Sequence, residues 1–228
     1  MKKADFVLIA IILAILFLFI LKPEVLEMYS KLNNEHGMWL SFIKFAILAT
    51  FGECLALRIR TGKYNSKGFG ILPRAIVWGF LGLTIKMAFV IFSTGTPLFL
   101  EYLGLNNAVI TMISGFSLMK VFIAFCISLT MNLIYAPVMM TIHRITDMHI
   151  ISNGGTLVGF FHPIQMRKNF NQLDWDSLWN FVFKKTIPFF WIPAHTITFL
   201  LPEGLQVLFA ALLGIALGVI LSTTQGKN

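Results

Sequence analysis

From residue 75 to residue 92 the chain reads AIVWGFLGLTIKMAFVIF, an apolar run with a single charge at Lys86. Such a run is long enough to cross the hydrocarbon core of a bilayer as a helix, which needs roughly 20 residues. The whole chain has the same character, because 57% of its 228 residues are hydrophobic and only 12% are charged. A water-soluble fold needs more polar surface than this. The composition therefore predicts an integral membrane protein and excludes soluble, disordered and fibrous classes.

Further apolar segments lie on both sides of this run. The first of them follows Lys2 and Lys3 and lacks a small-residue cleavage site, so it is predicted to be an uncleaved anchor. The fifth contains Pro188 and Pro193, which are expected to kink it. The sequence thus predicts an all-α, polytopic membrane helical bundle of about six transmembrane helices. The predicted spans are residues 6–21, 39–57, 75–92, 118–140, 186–201 and 205–221.

The positive charges outside these spans predict the topology. Most Lys and Arg residues fall on the side of the two termini, and Lys22 and Lys31 are the exceptions. This bias fits the positive-inside rule, so both termini are predicted to be inside. The net charge of +8 is then explained by inner loops that face anionic lipid, above all residues 58–74, and no nucleic-acid partner is predicted.

The chain is predicted to have three parts. They are an anchor helix with an outer loop, a transmembrane bundle and a short inner tail, over residues 1–37, 38–222 and 223–228. Residues 141–185 are expected to form an irregular or interfacial inner loop, because Gly154, Gly155 and Pro163 interrupt them. Without an Arg- and Ser-rich transit sequence, a prokaryotic plasma membrane is favoured over an organelle inner membrane.

Polar side chains within the spans are expected to face the interior of the bundle. Ionisable groups in a membrane are costly unless they face protein or water, so each one is a functional candidate. Helical spacing places Glu53 on a face of small residues and places Lys86 on the same face as two glycines. The candidates for a polar path or bundle interior are Glu53, Lys86, Ser128, Asn132, Tyr135, Trp191, His195 and Thr198.

Glu53 and Lys86 are the ionisable residues that helical geometry turns inward. They are expected either to form an ion pair, directly or through water, or to line separate wet stretches of a path. Lys44 lies half a turn from the face of Glu53 and is expected to extend along lipid toward the outer surface. Small residues at helical spacing predict close helix packing at Gly79, Gly82, Ala210, Gly214 and Gly218.

Signals for catalysis are weak. His143, Asp147 and His149 combine imidazole and carboxylate groups at an inner membrane boundary, a set that can bind a metal or act on lipid headgroups. A wet interfacial loop is the commoner context for such a segment. No nucleotide-binding, zinc-protease or hydrolase motif occurs. The chain is therefore not predicted to be an enzyme, and no catalytic residue, metal or cofactor is predicted.

The last two spans resemble a signature of the Mpv–PMP family, which includes the twenty-two-kilodalton peroxisomal membrane protein, a mitochondrial inner-membrane relative and prokaryotic homologues. That signature reads Trp-Pro-x-x-Gln-x-x-Asn-Phe, then Val-Pro, then an apolar helix that ends in Leu-Ser. The corresponding residues here run from Trp191 to Phe199, then Leu201-Pro202, and finally Leu221-Ser222. His195 and Thr198 stand where the family usually has Gln and Asn.

The resemblance extends over residues 45–222. Gly52-Glu53 is similar to a Gly-Asp pair of the family, and Arg74 before Gly79 and Gly82 is similar to its Arg followed by spaced glycines. The resemblance implies a small multi-pass membrane protein, with the first span as an N-terminal addition to the family's core. It also implies channel activity for small solutes, which has been proposed for some members.

The sequence therefore favours a channel- or transport-like membrane protein that passes small polar solutes or ions through an inward-facing polar path. One alternative is a structural or membrane-homeostasis protein whose polar residues only hold helices together. The least favoured alternative is a membrane enzyme that uses residues 143–149. The predicted partners are the lipid bilayer, with anionic lipid on its inner face, and small polar solutes. A homo-oligomer is left open.

Overall fold

The computed structural model describes residues 5, 6, 10, 17 and 21–225, which contain helices and no strand. Four of the helices are long and apolar enough to cross a membrane, judged by length and composition. A π-helical segment, Leu178–Trp191, lies between two of the shorter helices. The α-helices are α1 (Pro23–Thr61), α2 (Ile71–Tyr102), α3 (Ala108–Ile113), α4 (Leu118–Ser152), α5 (Leu157–Phe160), α6 (Met166–Asn171), α7 (Trp175–Ser177), α8 (Ile192–Leu200) and α9 (Glu203–Gln225).

The all-α class is confirmed for the described residues, and so are long apolar helices at four of the predicted spans. These are the second, third, fourth and sixth spans, which fall within α1, α2, α4 and α9. The first predicted span, residues 6–21, falls almost entirely outside the described residues. The fifth, residues 186–201, falls on the π-helical segment and α8. The count of six spans and the side of the termini stay predictions.

The chain forms two compact units, Met1–Leu40 and Ser41–Asn228. In the first unit, the helical backbone that begins at Pro23 is kinked at His36, where φ is −131°. The second unit contains the hydrophobic core. Its centre is α4, which packs against both α2 and α8. The fully buried residues of α4 recur at helical spacing, so that one face of the helix is covered by protein: Ile123, Ala124, Ile127 and Met131.

Helices α1 and α2 approach closely at Gly79 and Gly82, two of the positions predicted for close helix packing. A Cβ atom on Gly82 would lie 2.6 Å from the carbonyl oxygen of Ser41, and one on Gly79 would lie 2.5 Å from the ring of Phe42. On α9, Ala210 is buried, and a Cβ on Gly218 would lie 3.7 Å from the carbonyl oxygen of Gly52 on α1. Gly214 has no such neighbour within 4 Å among the described residues.

The prediction of a loop over residues 141–185 is wrong for residues 141–152, because α4 continues to Ser152. Between Pro137 and Gly154 the sequence contains no proline or glycine that would end a helix. The helix ends in a Schellman motif, in which Gly155 N–H donates to Ile150 O at 2.9 Å and Gly154 N–H donates to Ile151 O at 3.1 Å. Gly154 has φ of +73°, the left-handed conformation that this motif requires. The last turns of α4 therefore carry their polar side chains at fixed helical positions.

Candidate functional site

Five side chains from α1, α2 and α4 meet in one polar cluster, which we call the ion cluster: Glu53, Arg74, Trp78, His143 and Asp147. Its centre is the Arg74 guanidinium, whose Nη1 donates hydrogen bonds both to Glu53 Oε2 and, at 2.7 Å, to Asp147 Oδ1. Hydrogen bonds in which both partners are charged are stronger than neutral ones. One guanidinium thus connects three candidate membrane helices.

The Glu53 carboxylate is held from two helices at once. On α2, Trp78 Nε1 donates to Glu53 Oε1 at 2.8 Å, and on α4, His143 Nε2 lies 3.1 Å from the same oxygen. His143 Nε2 also lies 3.8 Å from Asp147 Oδ1. The imidazole therefore faces two carboxylates, and the indole of Trp78 lies against it with 4.4 Å between ring centroids.

Local sequence spacing explains why these side chains converge. Trp78 follows Arg74 by four residues on α2, and Asp147 follows His143 by four residues on α4. Residues four apart lie on the same face of a helix, so each pair points in one direction. The orientation of Arg74 is fixed further by Phe69, whose carbonyl accepts from Arg74 Nε at 2.8 Å and whose ring lies 4.5 Å from the guanidinium carbon.

Burial and charge set the electrostatics of the ion cluster. The side chains of Arg74 and Asp147 are 6% and 13% exposed, whereas those of Glu53 and His143 are 20% and 21% exposed. Two carboxylates and one guanidinium give a formal charge of −1 when the imidazole is neutral, and of zero when it is protonated. The neighbouring Arg144 is exposed and forms no ion pair within 4 Å among the described residues, although its charge also acts on Asp147. The arrangement can therefore take up one positive charge and become neutral.

Three residues of the ion cluster offer ligand atoms for a metal ion. The ligand atoms of Glu53, His143 and Asp147 all lie within 4.8 Å of one another. Arg74 Nη1, however, is already hydrogen-bonded to both carboxylates. A divalent ion at the same place would meet the full charge of the guanidinium. In the described geometry the set therefore suits a proton or a monovalent cation better than a divalent metal.

A second group of polar side chains joins α4 to α8, and we call it the amide group. Asn132 Nδ2 donates to Ser128 O at 2.8 Å and lies 3.1 Å from His195 Nδ1, while Ser128 Oγ donates to Ile192 O at 2.7 Å. The ring of Trp191 stacks on that of His195 at 5.1 Å. The members of the group are Ser128, Asn132, Trp191 and His195, and Trp191 Nε1 is buried without a hydrogen bond in the described structure.

The remaining candidates of the sequence lie near these two groups. Thr198 is fully buried and donates to the carbonyl of Ala194 on its own helix, at 2.9 Å. The hydroxyl of Tyr135 on α4 lies 2.7 Å from Thr84 Oγ1 on α2. Of the candidates on the fourth and fifth predicted spans, Ser128, Asn132 and His195 are thus joined by hydrogen bonds, and Trp191 joins them by stacking on His195.

The ion pair predicted between Glu53 and Lys86 is wrong, because the structure gives them different partners, whereas the alternative that they line separate stretches of a path stays a prediction. Lys86 Nζ lies 2.8 Å from Glu203 Oε1, whereas Glu53 belongs to the ion cluster. Arg74 is the nearer cation, and it precedes Lys86 by about 18 Å along the axis of α2. The predicted position of Lys44 in lipid is also wrong, since only 8% of this residue is exposed and it lies near Lys86.

The candidates predicted for the polar path did not include four members of the ion cluster, which are Arg74, Trp78, His143 and Asp147. Arg74 was assigned to an inner loop, and His143 and Asp147 were assigned to a wet segment together with His149. The structure separates His149 from them, because its Nε2 lies 3.0 Å from the carbonyl oxygen of Phe160. The signal that could have found the site is the four-residue spacing within each helix, which requires knowing that residues 141–152 are helical.

Comparison with models of protein families, with curated proteins and with solved structures finds no match to this chain. The resemblance to the Mpv–PMP family therefore stays a prediction based on its residues. Two of those residues, Glu53 and Arg74, bind each other in the ion cluster, and two others, Trp191 and His195, stack in the amide group. The candidate site is accordingly defined by its geometry.

Proposed function

We propose that this chain is a multi-pass membrane protein that passes ions or small polar solutes through its helical bundle, with the ion cluster binding the permeating or coupling cation. The observation that carries the proposal is the meeting of four ionisable side chains from three candidate membrane helices. Ionisable residues at such positions commonly mark ion pathways and proton relays. Helix packing alone is achieved at lower desolvation cost by uncharged contacts.

Charge and access favour a cation as the bound species. With a neutral His143, the ion cluster holds one more negative than positive charge, and an imidazole is the group that most readily takes a proton near neutral pH. Glu53 and His143 keep about a fifth of their side-chain surface exposed, whereas Arg74 is buried. Arg74 therefore acts as a fixed internal charge, while Glu53 and His143 are the groups that an incoming cation reaches.

Polar groups continue along α4 away from the ion cluster. Tyr135, Asn132 and Ser128 precede Asp147 by 12 to 19 residues in the sequence. At about 1.5 Å of rise per residue, they extend the polar side of α4 over roughly 30 Å, the thickness of a hydrocarbon core. This succession supports a route for polar solutes, and the resemblance to the Mpv–PMP family supports the same function.

A structural role is the second candidate, and one observation favours it. Each ionisable side chain of the ion cluster already has a partner, so the cluster also ties α1, α2 and α4 together. In that case the protein would be stable through the same contacts but would transport nothing. Flux measurements separate the two functions.

We expect liposomes containing the purified protein to conduct protons or monovalent cations faster than empty liposomes. Asp147→Asn or Glu53→Gln should change this flux about tenfold, a barrier difference of about 1.4 kcal/mol, because each removes one charge from the cation site. The flux is measured with a pH-sensitive dye trapped inside and with a potassium gradient. Asp176→Asn is the control, since this exposed carboxylate lies in the short helix α7 and bonds Asn180.

Absence of flux above empty liposomes, over a range of voltage and pH, would contradict the transport function and favour the structural one. Equal flux in wild type, Asp147→Asn and Glu53→Gln would contradict the assignment of the ion cluster as the binding site.

We further propose that the chain crosses a plasma membrane six times and that both termini lie on its inner side. Residues 58–74 then lie on the inner side, and a cysteine at the exposed position Lys63 should be labelled by an impermeant maleimide only after cells are permeabilised. The background is a variant in which Cys54 and Cys126, the two cysteines of the chain, are alanine. Labelling of Lys63→Cys in intact cells would contradict this topology.

A further inference from the structure

The ion pair between Lys86 and Glu203 is unequally buried. The Lys86 side chain on α2 is 13% exposed, whereas the Glu203 side chain at the start of α9 is 76% exposed. Their charged atoms, Nζ and Oε1, lie 2.8 Å apart. The ammonium is therefore largely enclosed by protein and depends on an anion, while the carboxylate that supplies the anion projects from the protein surface.

Two further positive features lie near this ion pair, one beside each of its partners. Lys44 on α1 is buried and lies close enough to Lys86 for their charges to repel each other. Glu203 itself is the first residue of α9, a helix of 23 residues, and its carboxylate lies at the positive end of that helix. Lys44 thus adds positive potential beside Lys86, and the start of α9 adds it at Glu203, which favours an oxyanion at the Lys86 ammonium.

We infer that the Lys86 ammonium is a binding site for an oxyanion, which the Glu203 carboxylate occupies in this structure and can vacate for a carboxylate or phosphate group of a ligand. Displacement is feasible because the exposed Glu203 side chain can move away and an incoming oxyanion then takes its place, so the enclosed ammonium keeps an anionic partner. The oxyanion can belong to a soluble organic acid or to the headgroup of an anionic lipid. Together with the proposed function, such a site would make organic anions the class of solute that the protein transports. Only this extension rests on the proposed function.

The test measures binding in detergent, so that it does not depend on flux. The melting temperature of the full chain is followed while sodium succinate is added, with sodium chloride at equal ionic strength as the salt control. Glu203→Gln should respond to succinate at a concentration at least tenfold lower than wild type, because the internal competitor is gone. Asp176→Asn, which also removes one exposed carboxylate, should respond as wild type does.

Variants at Lys86 test the ammonium itself. In the Glu203→Gln background, Lys86→Arg keeps the charge and should keep the response to the anion, whereas Lys86→Gln should lose it. If Lys86→Gln fails to fold, the comparison of Glu203→Gln with wild type still decides whether the oxyanion site exists. A parallel titration replaces succinate with phosphatidylglycerol, and phosphatidylcholine serves as its neutral control.

Each outcome has one meaning. A response of Glu203→Gln to succinate supports a site for soluble carboxylates, and a response to phosphatidylglycerol alone supports a site for lipid headgroups. If Glu203→Gln is no more sensitive than wild type to either anion, the oxyanion site is overturned. Loss of flux in liposomes with anion binding intact would instead reject the proposed transport function alone.

Discussion

Arg74→Met should lower the free energy of unfolding by about 3–5 kcal/mol, because it leaves two carboxylates in the bundle without their shared cation. The side chains of Glu53 and Asp147 are 20% and 13% exposed, so water compensates the lost guanidinium only in part. Methionine has an apolar side chain of similar length. The loss in free energy of unfolding therefore comes from the missing charge and not from poorer packing. Thermal or chemical unfolding of the purified protein in detergent measures the effect.

The matched control is the neighbouring exposed cation. Arg144→Met removes the same charge at an exposed position that acts on Asp147 without a direct ion pair, so its effect should stay within about 1 kcal/mol. Neutralising both carboxylates as well, in a triple variant of Glu53→Gln, Arg74→Met and Asp147→Asn, should recover much of the loss. Arg74 does not hold the two carboxylates as described if Arg144→Met costs as much as Arg74→Met, or if the triple variant is the least stable of all.

The long helices could be predicted because the bilayer restricts the options of an apolar chain. In hydrocarbon the backbone must satisfy its own hydrogen bonds, so an uninterrupted apolar run such as residues 75–92 becomes a helix. The predicted runs proved shorter than the helices that contain them. The helix α4 extends twelve residues beyond the predicted end at residue 140, to Ser152. Polar residues in those last turns were read as a loop because they end the apolar run, although they do not end the helix.

The ion cluster could not be predicted as a set because its members are far apart in the sequence. Arg74 and Asp147 are separated by 73 residues, and hydropathy carries no information about which helices become neighbours. Helical spacing did turn Glu53 inward, but it gave no means of choosing between Arg74 and Lys86 as its cation. That choice depends on axial position, and about 18 Å of α2 separates the two cations.

The fifth predicted span shows a different limit. Residues 186–201 were expected to form one kinked helix, and Pro188 and Pro193 both lie within helical structure, but of two kinds. The π-helical segment that ends at Trp191 has i→i+5 hydrogen bonds, which a pattern of period 3.6 does not reveal. Its consequence for the site is local: Trp191 at the end of this segment stacks on His195 at the start of α8.

Gly82→Ala should destabilise the protein by about 1–3 kcal/mol, although alanine is the better helix former by about 1 kcal/mol. The added Cβ would lie 2.6 Å from the carbonyl oxygen of Ser41 and 2.7 Å from the Cβ of Phe45. Both atoms belong to or adjoin the backbone of α1, so no side-chain rotation relieves the overlap. The two helices must separate, and the core contacts of Phe45 separate with them. Melting in detergent measures the loss.

Two other glycines of α2 make the interpretation specific. Gly95→Ala has open space around the new methyl group and should be neutral or stabilising, because only the helix preference changes. Gly79→Ala meets the ring of Phe42, a side chain that can rotate away, so its cost should fall between the other two. This order follows from what each methyl group meets: backbone, a rotatable ring or nothing. Equal stability of Gly82→Ala and Gly95→Ala would mean that α1 and α2 do not make this contact.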